Sequence, residues 1–294
     1  MTESLPHWHL LGAGNMGTLA AWYLTRAGHT VSVVTDSPAP PQHKTLIFAE
    51  HNASLTLPCV SPSQFHSTIT HLLVASKTPY TEAALRRVNG HLDSTTLVLR
   101  FQNGMGALDG RLPAGATMLE AITTSAVKGQ SPQHTIVAEN TTWLGGLPQP
   151  PAWFEGLQRH WPNLCWEADI RWVQWKKLVA NAVINPLTAL HDVPNGALVS
   201  DPSLQQQVRA LCAEADTLLT ALDSRWPGNS FSAVLQVARD TAGNTSSMRA
   251  DRQRGATTEI EAINGWLLRQ AQRHGMDLPS HRRLIAALSG QAPT

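Results

Sequence analysis

The run from Trp8 to Thr35 restricts the possible folds of this chain more than any other stretch. Trp8-His9-Leu10-Leu11 has strand character and leads into Gly12-Ala13-Gly14-Asn15-Met16-Gly17. A helical pattern holds from Thr18 to Ala27, Gly28-His29 closes it, and a second strand covers Thr30 to Thr35. A Gly-x-Gly-x-x-Gly string alone is a weak signal, but set between strand and helix in a βαβ unit of about 30 residues it has a mechanism. Gly12 makes the tight turn, Gly14 lets the backbone approach a pyrophosphate, and Gly17 lets helix and strand pack closely. The diphosphate then lies over the loop from Gly12 through Ala13, Asn15 and Met16 to Gly17, on the N–H groups and positive dipole end of the helix. The expectation is an α/β fold with a Rossmann-type dinucleotide-binding domain.

The alternation of strands and helices continues. Ala39 to Lys44 reads as a proline-rich loop, and Thr45 to Leu57 as a β-hairpin turning near Asn52. His71 to Lys77 is a buried strand ending on a lysine, Pro79 opens a helix to about Asn89, and Thr95 to Phe101 is a strand ending in Gln102-Asn103-Gly104-Met105-Gly106. Thr117 to Ala126 is a further strand, His134 to Leu147 a hairpin turning near Asn140, Pro151 to Trp161 a helix and Leu164 to Glu167 a strand. Ligands of open α/β sheets bind outside the carboxyl ends of the strands, which puts Lys77 and Asn103 on the rim with the glycine loop. The plainer alternatives are an exposed loop cation for Lys77 and an Asn-Gly turn for Asn103. Asp36 stands about 20 residues beyond the glycine loop, at the end of the second strand. There an acid either accepts hydrogen bonds from the adenosine ribose hydroxyls of NAD and repels the 2′-phosphate of NADP, or only starts the turn Asp36-Ser37-Pro38.

Beyond Asp169 no strand pattern recurs, so residues 1–168 are expected to form the dinucleotide-binding domain and residues 169–294 an all-helical second domain. Helical patterns cover about 170 to 191, 202 to 224, 229 to 242, 257 to 274 and 279 to 289, separated by Pro194-Asn195-Gly196, Pro227-Gly228, Gly275 and Pro279. A cleft between two such domains is a preferred place for a small-molecule site, and its closure on substrate is the expected motion. In the first helix Lys177, Asn181 and Asn185 fall at i, i+4 and i+8 on one stripe, about 6 Å per step. Nearly everything around them is apolar, so a lysine and two carboxamides there call for a partner. Lys176 is turned about 100° away from that stripe. Pro186 is expected to kink the helix just past Asn185. Asn244-Thr245-Ser246-Ser247-Met248 reads as a polar loop suited to a carboxylate, with Ser247 otherwise a turn residue. Thr258 and Glu261 fit a capping box, and Glu259 fits a first-turn acid on the helix dipole.

Composition narrows the class of partner. A formal net charge of +1 with no basic block offers no attraction to nucleic acid or an anionic membrane. Three widely spaced cysteines, with no Cys-x-x-Cys, suggest neither a disulfide framework nor a zinc site, and the 13 histidines lack ligand spacing, so no metal is expected. No apolar run approaches the roughly 18 residues a membrane span needs, and no signal-peptide pattern opens the chain, so a cytoplasmic location is expected. The partner expected is a small molecule; nothing in the residues speaks to oligomeric state.

Gly12 to Gly17, Ser76-Lys77, Gln102 to Gly106, Trp175-Lys176-Lys177-Leu178 through Asn181, Asn185-Pro186-Leu187-Thr188-Ala189, Asn195-Gly196, Ser246-Ser247-Met248 and Thr258 to Gly265 occur in one order. Across the whole chain this order resembles the ketopantoate reductase (2-dehydropantoate 2-reductase) family. The resemblance implies NADPH-dependent reduction of the 2-oxo group of ketopantoate to pantoate, a step of pantothenate biosynthesis. At matching positions it implies Lys177 as proton donor to the developing alkoxide, a role suited to an ammonium. It implies Asn103, Asn181, Asn185, Asn195 and Ser247 as the substrate-positioning set, and Glu259 as the acid near the nicotinamide ribose and the substrate hydroxyl. Lys77, Asn103 and the backbone at Val127 match cofactor-contact positions. One departure stands out: the family commonly carries an arginine at the end of the second strand for the 2′-phosphate, where this chain has Asp36. That residue points to NADH while the family points to NADPH, with His43, Lys44 or Lys77 left to supply the cation. The altered rim leaves two other readings open, a related reductase of a different 2-oxo acid and a nucleotide-binding sensor without catalysis; Lys177 and Glu259 speak against the latter.

Overall fold

The computed structural model describes residues 5–290. In chain order the first part contains β1 (His7–Leu11), α1 (Asn15–Arg26), β2 (Thr30–Val34), β3 (Gln42–Ile47), β4 (Asn52–Leu57), β5 (Cys59–Val60), β6 (His71–Val74) and α2 (Thr81–Arg86). It continues with β7 (Leu97–Arg100), β8 (Thr117–Thr123), β9 (Ala126–Gln130), β10 (Gln133–Ala138), β11 (Thr142–Gly145), α3 (Phe154–Gln158) and β12 (Leu164–Glu167). The second part is helical: α4 (Arg171–His191), α5 (Ala197–Ser200), α6 (Pro202–Leu222), α7 (Ser230–Asp240), α8 (Ser247–Gln253), α9 (Ile260–Arg273) and α10 (Pro279–Ser289). The chain divides into two compact units, one running up to Gln102 and from Leu108 to Val173, the other comprising Asn103–Ala107 and the chain from Gln174 onward.

The first unit is built on an eight-stranded sheet ordered β12-β11-β8-β7-β6-β1-β2-β5. β1, β2, β5, β6, β7 and β8 run parallel, and β11 pairs antiparallel with β8. The central strands carry near-continuous apolar runs because both faces are covered: Trp8, Leu10, Leu11, Leu72, Leu73 and Val74 have no exposed surface. On one face Leu19, Leu24, Trp153 and Leu157 of α1, α3 and their neighbours close the core, and on the other Leu85 and Val88 at α2 do so.

The expected βαβ unit is present, and α1 begins at Asn15, so Asn15, Met16 and Gly17 are its first turn. The hairpin expected over Thr45 to Leu57 is β3–β4, paired from Gln42↔Leu57 to Ile47↔Asn52. The turn falls at 48–51, directly before Asn52 as expected, but Gln42 to Lys44 are strand instead of loop. This hairpin belongs to a separate four-stranded sheet, β4-β3-β10-β9. That sheet overturns two other expectations. His134 to Leu147 is not a hairpin: β10 pairs with β3 and β9, whereas β11 pairs with β8 and β12 in the large sheet. Thr117 to Ala126 is not one strand either, because β8 ends at Thr123 and β9 starts at Ala126. Alternation identifies a strand but not its partner, and the pairs chosen here are those whose inner residues Leu46, Leu55, Leu57 and Ile136 join the core under α1.

In the second unit α4 is buried on almost every side, with Gln174, Trp175, Leu178, Val179 and all of Ala182 to Ala189 inside. The helix continues through Pro186 to His191 as one element. Proline 186 has no N–H to give the carbonyl of Ala182, four residues back. Asn264 of α9, with no exposed surface, replaces that donor: its Nδ2 donates to Ala182 O at 2.7 Å. The same amide nitrogen lies 3.0 Å from Nδ1 of His281, whose Nε2 lies 3.1 Å from Leu211 O. This assigns a neutral His281 carrying its proton on Nε2, consistent with burial lowering its pKa.

Two further local expectations fail. Asn244 to Met248 is not all loop, because Ser247 opens α8, capped by Ser246, whose Oγ accepts from Arg249 N at 3.1 Å. The Thr258/Glu261 capping box is absent: α9 starts at Ile260 with Glu259 at its N-cap and no side-chain capping bond. Among the described residues no helix is long and apolar enough to cross a membrane.

Candidate active site

In the first unit the glycine loop has the shape an anion needs. Gly12 sits at φ +99, where a Cβ would lie 2.4 Å from Ser76 N, and at Gly17 a Cβ would lie 2.0 Å from Gly12 O. Both glycines are therefore required by packing. At Gly14 a Cβ would meet nothing within 4 Å, so that side of the loop is open for a diphosphate to approach. α1 starts directly behind it, with no side-chain cap and no acidic residue in its first turn. These residues fit a dinucleotide.

The second sheet braces this loop from beneath. Lys44, only 3% exposed, donates from Nζ to Ala13 O at 3.1 Å and to Ser131 Oγ at 3.0 Å. Thr18 Oγ1 donates to the same Ala13 carbonyl at 3.2 Å, and Asn15 Oδ1 lies 2.7 Å from His134 Nδ1. Burial pushes the Lys44 pKa below the ordinary lysine value, against a smaller opposing influence from Cys59. Burial, then the charge of Lys44, lowers the pKa of His134. Met16 and Val127 pack against the core between α1 and this sheet.

At the carboxyl ends of the strands, Lys77 is exposed at the start of a short 3₁₀ turn following β6, and its carbonyl accepts from Tyr80 N at 2.9 Å. Gln102 Nε2 donates to Ser76 O at 2.5 Å and Thr81 Oγ1 at 2.7 Å, tying the ends of β6 and β7 together. Asp36 is held by Arg87, with Nε to Oδ1 at 2.5 Å and Nη2 to Oδ2 at 2.9 Å. Of the cations expected near Asp36, Lys44 is committed to Ala13 and Ser131, while His43 Nδ1 is 3.0 Å from Thr56 Oγ1 on β4. Arg87 is the residue that sequence reasoning missed. It lies 51 positions from Asp36, and no local pattern marks it.

In the second unit, the stripe of Lys177, Asn181 and Asn185 runs along one uninterrupted helix, from half-buried Lys177 and Asn181 to buried Asn185. Lys176 is exposed, in keeping with its different direction. Asn103 and Glu259, far apart in sequence, are brought together: Asn103 Nδ2 donates to Glu259 Oε2 at 3.1 Å, and Glu259 is buried to 8% exposure. The loop carrying Asn103 is seated on the first turn of α9, where Met105 N donates to Ala262 O at 2.8 Å and a Cβ on Gly104 would lie 2.4 Å from the same oxygen. The Asn264–Ala182 bond links α9, which follows Glu259, to α4 between Asn181 and Asn185.

Ser247 is exposed next to buried Ser246, whose Oγ is 2.7 Å from Thr188 Oγ1 and 3.5 Å from Asn185 O, so the start of α8 abuts the inner end of the stripe. Asn195 lies in a different pairing: Nδ2 donates to Thr241 Oγ1 at 2.9 Å, leaving its buried Oδ1 with no protein donor. The structure thus groups Asn103 with Glu259, brings Ser246, next to Ser247, against Asn185, and places Asn195 with Thr241.

Comparison with known proteins gives a consistent result. Family models described as "Ketopantoate reductase PanE/ApbA" and "Ketopantoate reductase PanE/ApbA C terminal" match residues 8–149 and 169–292. A 2-dehydropantoate 2-reductase of Shigella flexneri is 32% identical over 289 residues, covering 94% of this chain and 92% of the relative. The crystal structure of 2-dehydropantoate 2-reductase from Geobacter metallireducens superposes with a TM-score of 0.84 at 21% identity, covering 97% and 99% of the two chains. A D-mandelate dehydrogenase solved with NADH and anilino(oxo)acetate shares the fold with a TM-score of 0.83 at 18% identity, covering 97% of each chain.

Proposed function

The chain belongs to the ketopantoate reductase family, and from that premise we propose that it reduces the 2-oxo group of 2-dehydropantoate with a nicotinamide dinucleotide, giving pantoate for pantothenate biosynthesis. The observation that carries this reading is the α4 stripe: one lysine and two carboxamides on a largely buried helix, tied through Asn264 to the helix that follows Glu259.

Residues 1–168 take the dinucleotide-binding role and residues 169–294 the substrate and acid role. The backbone from Gly12 to Gly17 binds the diphosphate, braced by Lys44 and His134, and Lys77, Asn103 and Val127 contact the cofactor. When bound, the reduced nicotinamide supplies a hydride to the 2-oxo carbon. As the carbon–oxygen π pair moves onto oxygen, the Lys177 ammonium stabilises the developing alkoxide and then delivers its proton, recovering one from solvent. Asn181 and Asn185 orient the ketone, and Ser247 holds the carboxylate end, while Asn195 is turned to Thr241. Glu259, positioned by Asn103, accepts hydrogen bonds from the ribose and the substrate hydroxyl.

The test is oxidation of NADPH and of NADH, followed by absorbance, with ketopantoate and with a panel of other 2-oxo acids. Turnover of ketopantoate with the highest kcat/KM of the panel supports the reading. No turnover of ketopantoate alongside activity on another 2-oxo acid would replace it with a second reading, a reductase of that acid. The Asp36–Arg87 rim, a departure from the family pattern, favours keeping that second reading in view.

A further inference from the structure

An aspartate at the end of the second strand ordinarily marks a preference for NAD, because its carboxylate accepts the ribose hydroxyls and repels a 2′-phosphate. Here that carboxylate is not alone. Arg87, at the C-terminal end of α2, meets it in a two-bond fork, Nε to Oδ1 at 2.5 Å and Nη2 to Oδ2 at 2.9 Å. We propose that Arg87 is the 2′-phosphate-recognition residue of this chain, supplied from α2 instead of β2 and charge-paired there with Asp36. The proposal rests on the reading of the first unit as a dinucleotide-binding domain.

Three features carry it. First, the pair has no net charge, so the repulsion that Asp36 alone would exert on a 2′-phosphate is cancelled at its source. Second, the Arg87 side chain is 29% exposed while that of Asp36 is 77% exposed, so the arginine is the more sheltered partner at the rim and the two-bond fork orders its guanidinium. An ordered guanidinium loses little further freedom on binding an anion. Third, the fork occupies two of the five guanidinium N–H donors, and a phosphate dianion is a strong acceptor for the others. Of the other cations near this rim, Arg86 bonds Glu82 at 2.6 Å along its own helix, Lys44 lies beneath the glycine loop and His43 is bonded to Thr56, while Lys77 is exposed beyond the end of β6.

The experiment is isothermal titration of the full chain with 2′,5′-ADP and 5′-AMP, which differ only in the 2′-phosphate, followed by NADPH and NADH. The unsubstituted chain is expected to bind 2′,5′-ADP about 10- to 100-fold more tightly than 5′-AMP, the range of one or two charge-assisted bonds. Arg87→Ala should erase that preference while changing 5′-AMP binding by less than about 2-fold, Arg87→Lys should retain part of it, and Asp36→Asn should leave it in place. The inference is overturned if Arg87→Ala leaves the ratio unchanged. It is equally overturned if the unsubstituted chain prefers 5′-AMP and Asp36→Asn weakens that binding about 10-fold, which would make Asp36 the ribose acceptor of an NADH enzyme. Loss of ketopantoate turnover with the Arg87-dependent ratio intact would instead refute the substrate reading alone. Failure of all four nucleotides to bind would overturn both.

Discussion

Asn264 offers the sharpest test of how α4 is held. Its side-chain amide donates to the Ala182 carbonyl that Pro186 leaves without a helical partner, and to Nδ1 of His281, with all three side chains in the interior. Asn264→Ala strips both acceptors of their donor. One buried acceptor left unsatisfied costs about 1–3 kcal/mol. Loss of the already unpartnered Asn264 Oδ1 offsets part of this, so the net expectation is about 2–3 kcal/mol. The mechanism makes a second demand. In a Pro186→Ala background, residue 186 regains an N–H that reaches Ala182 O within the helix, and Asn264→Ala should then cost less by about 1–2 kcal/mol. Urea unfolding of the four chains of this double-mutant cycle, followed by tryptophan fluorescence, measures the coupling. Additivity within about 0.5 kcal/mol would refute the claim that Asn264 stands in for the missing helical donor.

Other outcomes follow from the same geometry. Gly17→Ala should destabilise the first unit, because its Cβ would meet Gly12 O at 2.0 Å, whereas Gly14→Ala, with nothing within 4 Å, should shift the melting temperature little yet weaken NADPH binding in a fluorescence titration. Equal effects of the two on stability would contradict the assignment of Gly14 to the open side. On β1 and its neighbour β6, burial and then His7 push the pKa of His9 down to about 4, and burial and then His29 push that of His71 down to about 4. Both are held neutral in the fold while the unfolded chain protonates near 6.5, so their stabilisation is complete above pH 6.5 and is lost as pH falls toward 4. Discounted for partial exposure, the loss is about 1–2 kcal/mol per histidine. Denaturation midpoints between pH 7.5 and 4.5 should show it, and His9→Gln should flatten the slope; an unchanged slope would sink this account.

The parts of the fold that were legible in the sequence are those whose signal is local. Gly12 to Gly17 specifies a strand, a turn and a helix within one short unit, and the α4 stripe is a periodicity that any intact helix preserves. The failures share a cause: a strand pattern is silent about its partner. β10 and β11 both alternate, yet one joins β3 and β9 and the other β8 and β12, a choice made by long-range packing. β9 was hidden because Lys128, Gly129 and Gln130 are exposed and polar. α8 was missed because a seven-residue helix that opens on the last serine of an Asn-Thr-Ser-Ser run looks like loop, although Ser246 carried an N-cap signal. In the candidate site, the Asn103–Glu259 bond and the Asp36–Arg87 fork join residues with no sequence relation, and only the folded chain reveals them.

The central claim is that Lys177 is the proton donor for reduction of a 2-oxo acid. It is tested most directly by measuring kcat for ketopantoate reduction in Lys177→Ala and Lys176→Ala side by side, with nucleotide binding checked in both. The account predicts a loss of about 100-fold or more at Lys177 and less than about 2-fold at exposed Lys176, with NADPH still bound by each. Activity within about 2-fold of the unsubstituted chain in Lys177→Ala, or an equal loss in both variants, would contradict it.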